Sequence, residues 1–355
     1  MGSSMLIART VARTASLRIG LGAAALLLLT ASSGDGAEPR WTTVRIASER
    51  GLDVINCVEL GDSDRGGAYR GTSPDFHVAH GHSGSPVFDG SGTLAGGVSA
   101  YLVAGGPGFR IERIDSIRAA RRRVAVGSGP RVASLPSIAI AAAPEPGQAV
   151  WWLSVWGDVN RGTTGAITEI DGEWIELFAH APNGLVGEAE ARIVSARCLG
   201  LRALPNGEFE SELVPQATIG AGIASTRATA VGVLGREPSS ARISIAWSDW
   251  PDWNRSFSLS RRWSLSRDAA FAAILEVLAP LDSVPMVRIS ESVRATVDAA
   301  GERSPELRPT DADSDSPSGA ARLASPILEA LDALVRAGDV PSEVRISVAS
   351  GINPR

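Results

Sequence analysis

Residues 77–88 read His-Val-Ala-His-Gly-His-Ser-Gly-Ser-Pro-Val-Phe and hold three of the four histidines in the chain. Two kinds of chemistry fit such a stretch. His77, His80 and His82 have the spacing H-x2-H-x-H, and three histidines can hold a catalytic zinc. On a strand, however, His80 and His82 share a face while His77 points away, and no HExxH motif or suitably spaced carboxylate accompanies them. The second chemistry is nucleophilic. A serine hydroxyl needs a base to take its proton and donors to hold the oxyanion that forms. Glycines at 81 and 84 frame Ser83, let the backbone turn tightly and leave room for a substrate. The Gly81 and Ser83 amides can then point at one spot.

The serine's architecture follows from its neighbours. A nucleophile elbow needs G-x-S-x-G leading into a helix. Here Ser85 replaces the last glycine, and Pro-Val-Phe-Asp-Gly leads into a hairpin that turns at Asp89-Gly90. The string GHSGSPVFDGSGTLAGGVSAY fits instead the nucleophile turn and following hairpin of a chymotrypsin-like double β-barrel. The chain contains no lysine, since all 34 basic residues are arginine, so a lysine base is excluded. The base is then a histidine. His82 adjoins the serine and points away from it, and His77 and His80 would need a tight fold-back. His180 ends the strand-like WIELFAH and enters an Ala-Pro-Asn-Gly loop, a good position for a cleft. The acid that would orient it is open among Asp62, Asp64 and Asp75. Asp171 lies at the far end of its strand.

The elements that must position these residues are mostly strands. WTTVRIAS and LDVINCVEL precede a loop at 61–76, and the serine hairpin follows. A helix is expected at about 111–123, its Arg121-Arg122-Arg123 run on a solvated face. Residues 126–145, rich in Pro, Gly and Ala, read as a linker between halves 41–125 and 146–236. The second half resumes with AVWWLSVWGDV and a hairpin turning at Asp171-Gly172. Region 237–302 is α+β: ARISIAW and FSLSRRWSLS as strands, DAAFAAILEVLAPL as a helix, PMVRISESVRATV as a strand. The acidic, Ser/Pro-rich residues 303–319 read as a disordered linker. Residues 320–355 form a helix–strand unit whose ILEALDALVRAGDVPSEVRIS echoes ILEVLAPLDSVPMVRIS.

Arg9, Arg13 and Arg18 followed by the apolar run Ile19–Ala31 form an export signal over residues 1–33. The run is short for a membrane span, which needs roughly 20 residues; an uncleaved N-terminal anchor is the alternative. The chain carries a net charge of −5. Removing the signal takes three arginines and no acids, so the mature protein is more acidic still, which argues against nucleic acid as a partner. The location implied is periplasm, cell envelope or exterior, where Cys57 and Cys198 can pair or remain as two buried thiols.

Two segments together resemble the SpoIVB peptidase family of bacterial serine peptidases, in its environmental, non-sporulation branch. One is the Gly-x-Ser-Gly-Ser-Pro-Val hairpin at 81–101. The other is PGQAVWWLSVWGDVNRGTTGAITEIDGEWIELFAHAPNG from about Pro146 to Gly184, with ATAVGVLGREP at 229–238 as a further similarity. The resemblance implies a serine endopeptidase acting on peptides or proteins without a cofactor. Ser83 would be the nucleophile, His180 the base, and the Gly81 and Ser83 amides the oxyanion donors. This chain has His82 where the family has Met, and Ala179 where the family's Phe-Gly-His has Gly. A catalytically degenerate envelope module that binds peptides with the same fold is the alternative.

Overall fold

The computed structural model describes residues 40–48, 51–62, 68–72, 79–89, 91–101, 108–205, 209–283, 289, 292–299, 301–309, 318–335 and 338–351. The protein is mainly β. Six strands come first: β1 (Arg40–Ser48), β2 (Gly51–Asp62), β3 (Ala68–Thr72), β4 (Pro86–Phe88), β5 (Leu94–Tyr101) and β6 (Gly108–Arg113). They pair in the order β1-β2-β3-β6-β5-β4, and β4 returns to β1 through Thr43↔Phe88 and Val44↔Val87, so the ladder closes on itself. The β4–β5 connection is longer than a two-residue turn. Asp89 and Thr93 bond across it, and the Asp89 carboxylate accepts the Ser91 and Thr93 amides at 2.8 and 3.0 Å. The aspartate thus builds the loop with its side chain.

Six more strands follow: β7 (Ala149–Gly157), β8 (Arg161–Asp171), β9 (Trp174–Leu177), β10 (Gly187–Ala203), β11 (Phe209–Ser225) and β12 (Ala230–Leu234). The order β10-β11-β12-β9-β8-β7 is joined end to end by β7 with β10, Leu153 facing Arg192 and Val150 facing Ser195. Val150, Trp152, Ile167, Ile175, Leu177, Ala191, Ile193, Ile219 and Ala230, contributed by all six strands, form one buried cluster with Phe178. Burial on that face drives the register, because a one-residue slip would expose the whole set.

The second half of β7 turns to another neighbour. Val155–Gly157 pair with β14 (Arg255–Ser260), which extends the sheet through β13 (Ser240–Trp247), β17 (Glu343–Ala349), β15 (Arg294–Ala299) and β16 (Glu302–Arg303). Helices α2 (Trp263–Leu278) and α3 (Gly319–Leu334) share one large core with this extension. Ser318 caps α3 by accepting the Ala321 amide. WSLS at 263–266, expected as strand, opens α2, because Trp263, Ser266 and Ala270 turn one buried face to the sheet. Of the first of the two echoing helix–strand strings, residues 284–288 and 290 lie outside the described residues. The second VRIS lies in β17, whereas Ile289 of the first is helical. Within the expected linker at 303–319, Leu307 pairs with Ala295, and 310–317 lie outside the described residues.

Helix α1 (Ile114–Ser134) joins the two closed ladders. It runs through Gly127, Gly129 and Pro130, residues expected to begin a linker. Tertiary contacts outweigh their poor helix propensity. Val132 and Leu135 pack with Ala221, Ile223 and Val233, and Arg131 donates to the Ile223 carbonyl at 2.9 Å. The remainder of the expected linker runs beside 235–237, with Ile138 and Glu237 amides donating to Gly235 and Pro136.

Candidate active site

Ser83 sits in a tight turn over Ala79–Ser85, just ahead of β4. The amides of His82, Gly84 and Ser85 donate to the carbonyls of Ala79, Val98 and His82 at 3.0, 2.6 and 2.9 Å. Among the described residues the Gly81 and Ser83 amides have no such acceptor. The alternation of bonded and unbonded amides leaves two donors on either side of His82. Gly81 has φ +98°, in the left-handed region that glycine tolerates. Gly84 has φ +90°, and a Cβ there would lie 2.3 Å from the Ala166 oxygen and 2.4 Å from the Phe178 nitrogen. This close approach is how the serine turn meets the second ladder.

The histidines of the opening stretch separate by role. His82 is buried, and its Nδ1 accepts the Ala79 amide at 3.0 Å, so it closes the turn that carries Ser83. His80 is exposed; its carbonyl accepts the Ser211 amide at 2.7 Å and ties the turn to β11. His77 lies outside the described residues. Among those described, no cluster of three or more His, Cys, Asp or Glu side chains could hold a metal ion.

His180 comes three residues after the end of β9. Phe178 and Ala179 between them have φ of +66° and +49°, the two non-glycine residues in the left-handed region among those described. Each such residue costs on the order of 1 kcal/mol and is retained only where its surroundings demand it. The surroundings here are dense: both residues are fully buried. The half-buried His180 ring uses Nδ1 to reach the Ala181 carbonyl at 2.8 Å. A carbonyl only accepts, so Nδ1 carries the proton and Nε2 keeps its lone pair. Burial holds the imidazole pKa below the usual 6.5, against a smaller opposing pull from that carbonyl.

Ser83 and His180 line one cleft of about 1130 Å³, together with Gly81, Ser99, Trp151 and Thr164. No hydrogen bond joins Ser83 Oγ to His180 in this structure. The two are brought together by β8. The Ala166 amide donates to the Ser83 carbonyl at 2.7 Å, and the Ala166 carbonyl accepts the Phe178 amide.

Ala166 therefore bonds away from β7, whereas Ile167 bonds towards it, through Gln148 and Gly147. Antiparallel ladders alternate. Thr164, opposite Trp151, thus turns its N–H and C=O away from β7 as well. β9 pairs with β8 only from Ile167 onward. Among the described residues, no strand lies beside Thr164 on that edge. This open position went unread in the sequence, because where a partner strand stops is a tertiary property.

The acid expected beside His180 is not identified. Asp62 ends β2 and pairs through its backbone with Tyr69, while Asp64 and Asp75 lie outside the described residues. Asp171 sits at the β8–β9 turn and is paired with Arg121 at 2.6 Å. Cys198 is buried, its Sγ 3.6 Å from the Gly200 carbonyl oxygen. The side chain of Cys57, and so any bridge between the two, is outside the described residues.

Comparison of the chain with models of known protein families, with curated proteins and with solved structures returned no match.

Proposed function

We propose that this protein is an exported serine endopeptidase of the SpoIVB type, built on a chymotrypsin-like pair of six-stranded barrels. The observation that carries the reading is the pair of unbonded amides at Gly81 and Ser83, in the wall of the cleft that Ser83 shares with His180. Ser83 Oγ attacks a peptide carbonyl while His180 Nε2 takes its proton. The Gly81 and Ser83 amides stabilise the oxyanion. The imidazolium returns the proton to the leaving amine, and water, activated by the same nitrogen, hydrolyses the acyl-enzyme. The neutral tautomer with Nδ1–H, fixed by Ala181, suits Nε2 to that task. Catalytic hydrogen bonds often tighten only once substrate is bound, which accommodates the missing Ser83–His180 bond.

A peptide substrate fits the open edge of β8, where an extended chain can add as a further strand. The same edge, together with the missing Ser83–His180 bond, favours a second reading: an envelope module that binds extended peptides without cleaving them. A fluorophosphonate probe separates the two. Labelling that is lost in S83A and H180A supports the peptidase. An unlabelled parent protein that still binds peptides supports the binding module and ends the peptidase reading.

A further inference from the structure

Arg121, expected on a solvated face, is 8% exposed and turned inward. It reaches Glu176 of β9, whose carboxylate is fully buried, with Nη1 3.0 Å from Oε1. The approach is close but poorly aligned, and neither carboxyl oxygen of Glu176 makes a hydrogen bond. Around this pair stand Arg118 from α1 and Glu169 and Asp171 from β8. Arg118 forks onto Glu169, and Arg121 also meets Asp171 at 2.6 Å and Glu169 at 3.8 Å. Two guanidinium groups thus face three carboxyls. The cluster is charge-balanced when one carboxyl holds a proton, and burial favours that proton on Glu176.

On the same face of α1, at helical spacing from Arg121, Ile114 and Ile117 pack on Ala179. Ala179 is one of the two left-handed residues that present His180. The helix therefore grips β9 at two points, one polar before the strained turn and one apolar within it.

We propose that Arg121 and Glu176 are positioning residues, fastening α1 to β9 so that the helix holds the Phe178–Ala179 turn and aims His180 into the cleft. The geometry stands by itself, and its catalytic consequence rests on the peptidase reading. Burial without a hydrogen bond raises the Glu176 pKa to about 8, with Arg121 opposing and Glu169 and Asp171 reinforcing the shift. A raised carboxyl pKa means that the contribution to stability is complete below the ordinary 4.5 and is lost as pH rises through about 8. Stability therefore falls between about pH 4.5 and about 8, because ionising Glu176 leaves a desolvated carboxylate that Arg121 only partly offsets.

The test uses the full chain with R121Q, R121K, E176Q and I117A. It reads the His180 imidazole resonance and its titration by NMR, the melting temperature, and the rate of fluorophosphonate labelling. R121Q and I117A shift the His180 resonance and titration and slow labelling by on the order of tenfold or more, as a misplaced catalytic group does. R121K restores part of both, and E176Q removes the fall in stability between about pH 4.5 and 8. If R121Q does not fold, I117A carries the same measurement. A folded R121Q or I117A with lower melting temperature but an unmoved His180 resonance overturns the proposal. A parent protein that is not labelled at all defeats the peptidase reading instead, and the NMR comparison still decides the positioning role.

Discussion

The His180 imidazole is oriented by the carbonyl of the residue that follows it: Nδ1 lies 2.8 Å from the Ala181 oxygen. In a Ser-His-Asp arrangement a carboxylate holds this nitrogen and also stabilises the imidazolium. A carbonyl fixes the tautomer as well but offers less to the charged ring. The left-handed turn before His180 and the Ala181 carbonyl after it together set the ring's direction.

This arrangement fixes a pH dependence. Burial depresses the His180 pKa, so the neutral, proton-accepting ring persists below the ordinary 6.5. The acid limb of the labelling profile is expected to have its midpoint below 6.5 and to vanish from the residual reactivity of H180A. By the same linkage, the group's contribution to stability is complete above the unfolded value and is lost as pH falls through the depressed one. Urea unfolding from pH 7 to 5 of the parent and H180A checks this: the parent loses more stability over that interval.

Ala179 offers a test of strain. With φ at +49°, a glycine would relieve on the order of 1 kcal/mol. It would also give up a buried methyl, worth about 0.8 kcal/mol, and add freedom to the unfolded chain. These terms nearly cancel, so A179G is expected within about 1 kcal/mol of the parent. A179V has no such compensation. Its branched side chain must enter the space between Ile114, Ile117 and the backbone at Gly97, and it is expected to cost at least ~2 kcal/mol. Chemical denaturation of both variants measures the difference.

The serine turn, the β4–β5 and β8–β9 hairpins and the strand ahead of His180 were legible because each is written in local residues, although that strand stops at Leu177 rather than at His180. Gly81 and Gly84 mark positive φ, and Gly172 at +63° marks the β8–β9 turn. Helix α1 beyond Arg123 was not legible, since Gly127, Gly129 and Pro130 argue locally against a helix that Val132 and Arg131 secure from a distance. Arg121 failed for the same reason: its partners Glu176 and Asp171 lie some 50 residues away. The three clustered histidines drew attention by proximity. His82 proved to be a brace for the turn, and the cleft beside Ser83 is lined by His80 from the same stretch and by the distant His180.

Gly84 tests how the serine turn is seated. A methyl group at this position must occupy space held by the Ala166 oxygen and the Phe178 backbone, neither of which is a flexible side chain. G84A is therefore expected to destabilise the protein by ~2 kcal/mol or more and to slow labelling of Ser83. G92A serves as a control: Gly92 also has positive φ, but a Cβ there meets nothing within 4 Å. It is expected to cost no more than the backbone strain of about 1–2 kcal/mol and to leave labelling at the parent rate.

The β8 edge can be tested without touching the nucleophile. Thr164 turns its N–H away from β7, so proline at this position removes no ladder bond, and edge strands tolerate proline. T164P deletes the donor an incoming peptide would use, worth about 1 kcal/mol net. The ring also blocks close approach along the edge. Peptide binding or turnover is expected to fall by roughly tenfold, while a small fluorophosphonate, which reaches Ser83 without pairing to β8, reacts at the parent rate. T164V, which keeps the amide, retains peptide recognition. A T164P protein that is folded and handles peptides like the parent rules out strand addition at this edge. Equal losses with peptide and probe show instead that proline has disturbed Ser83 through Ala166, the next edge residue, which already holds the Ser83 carbonyl.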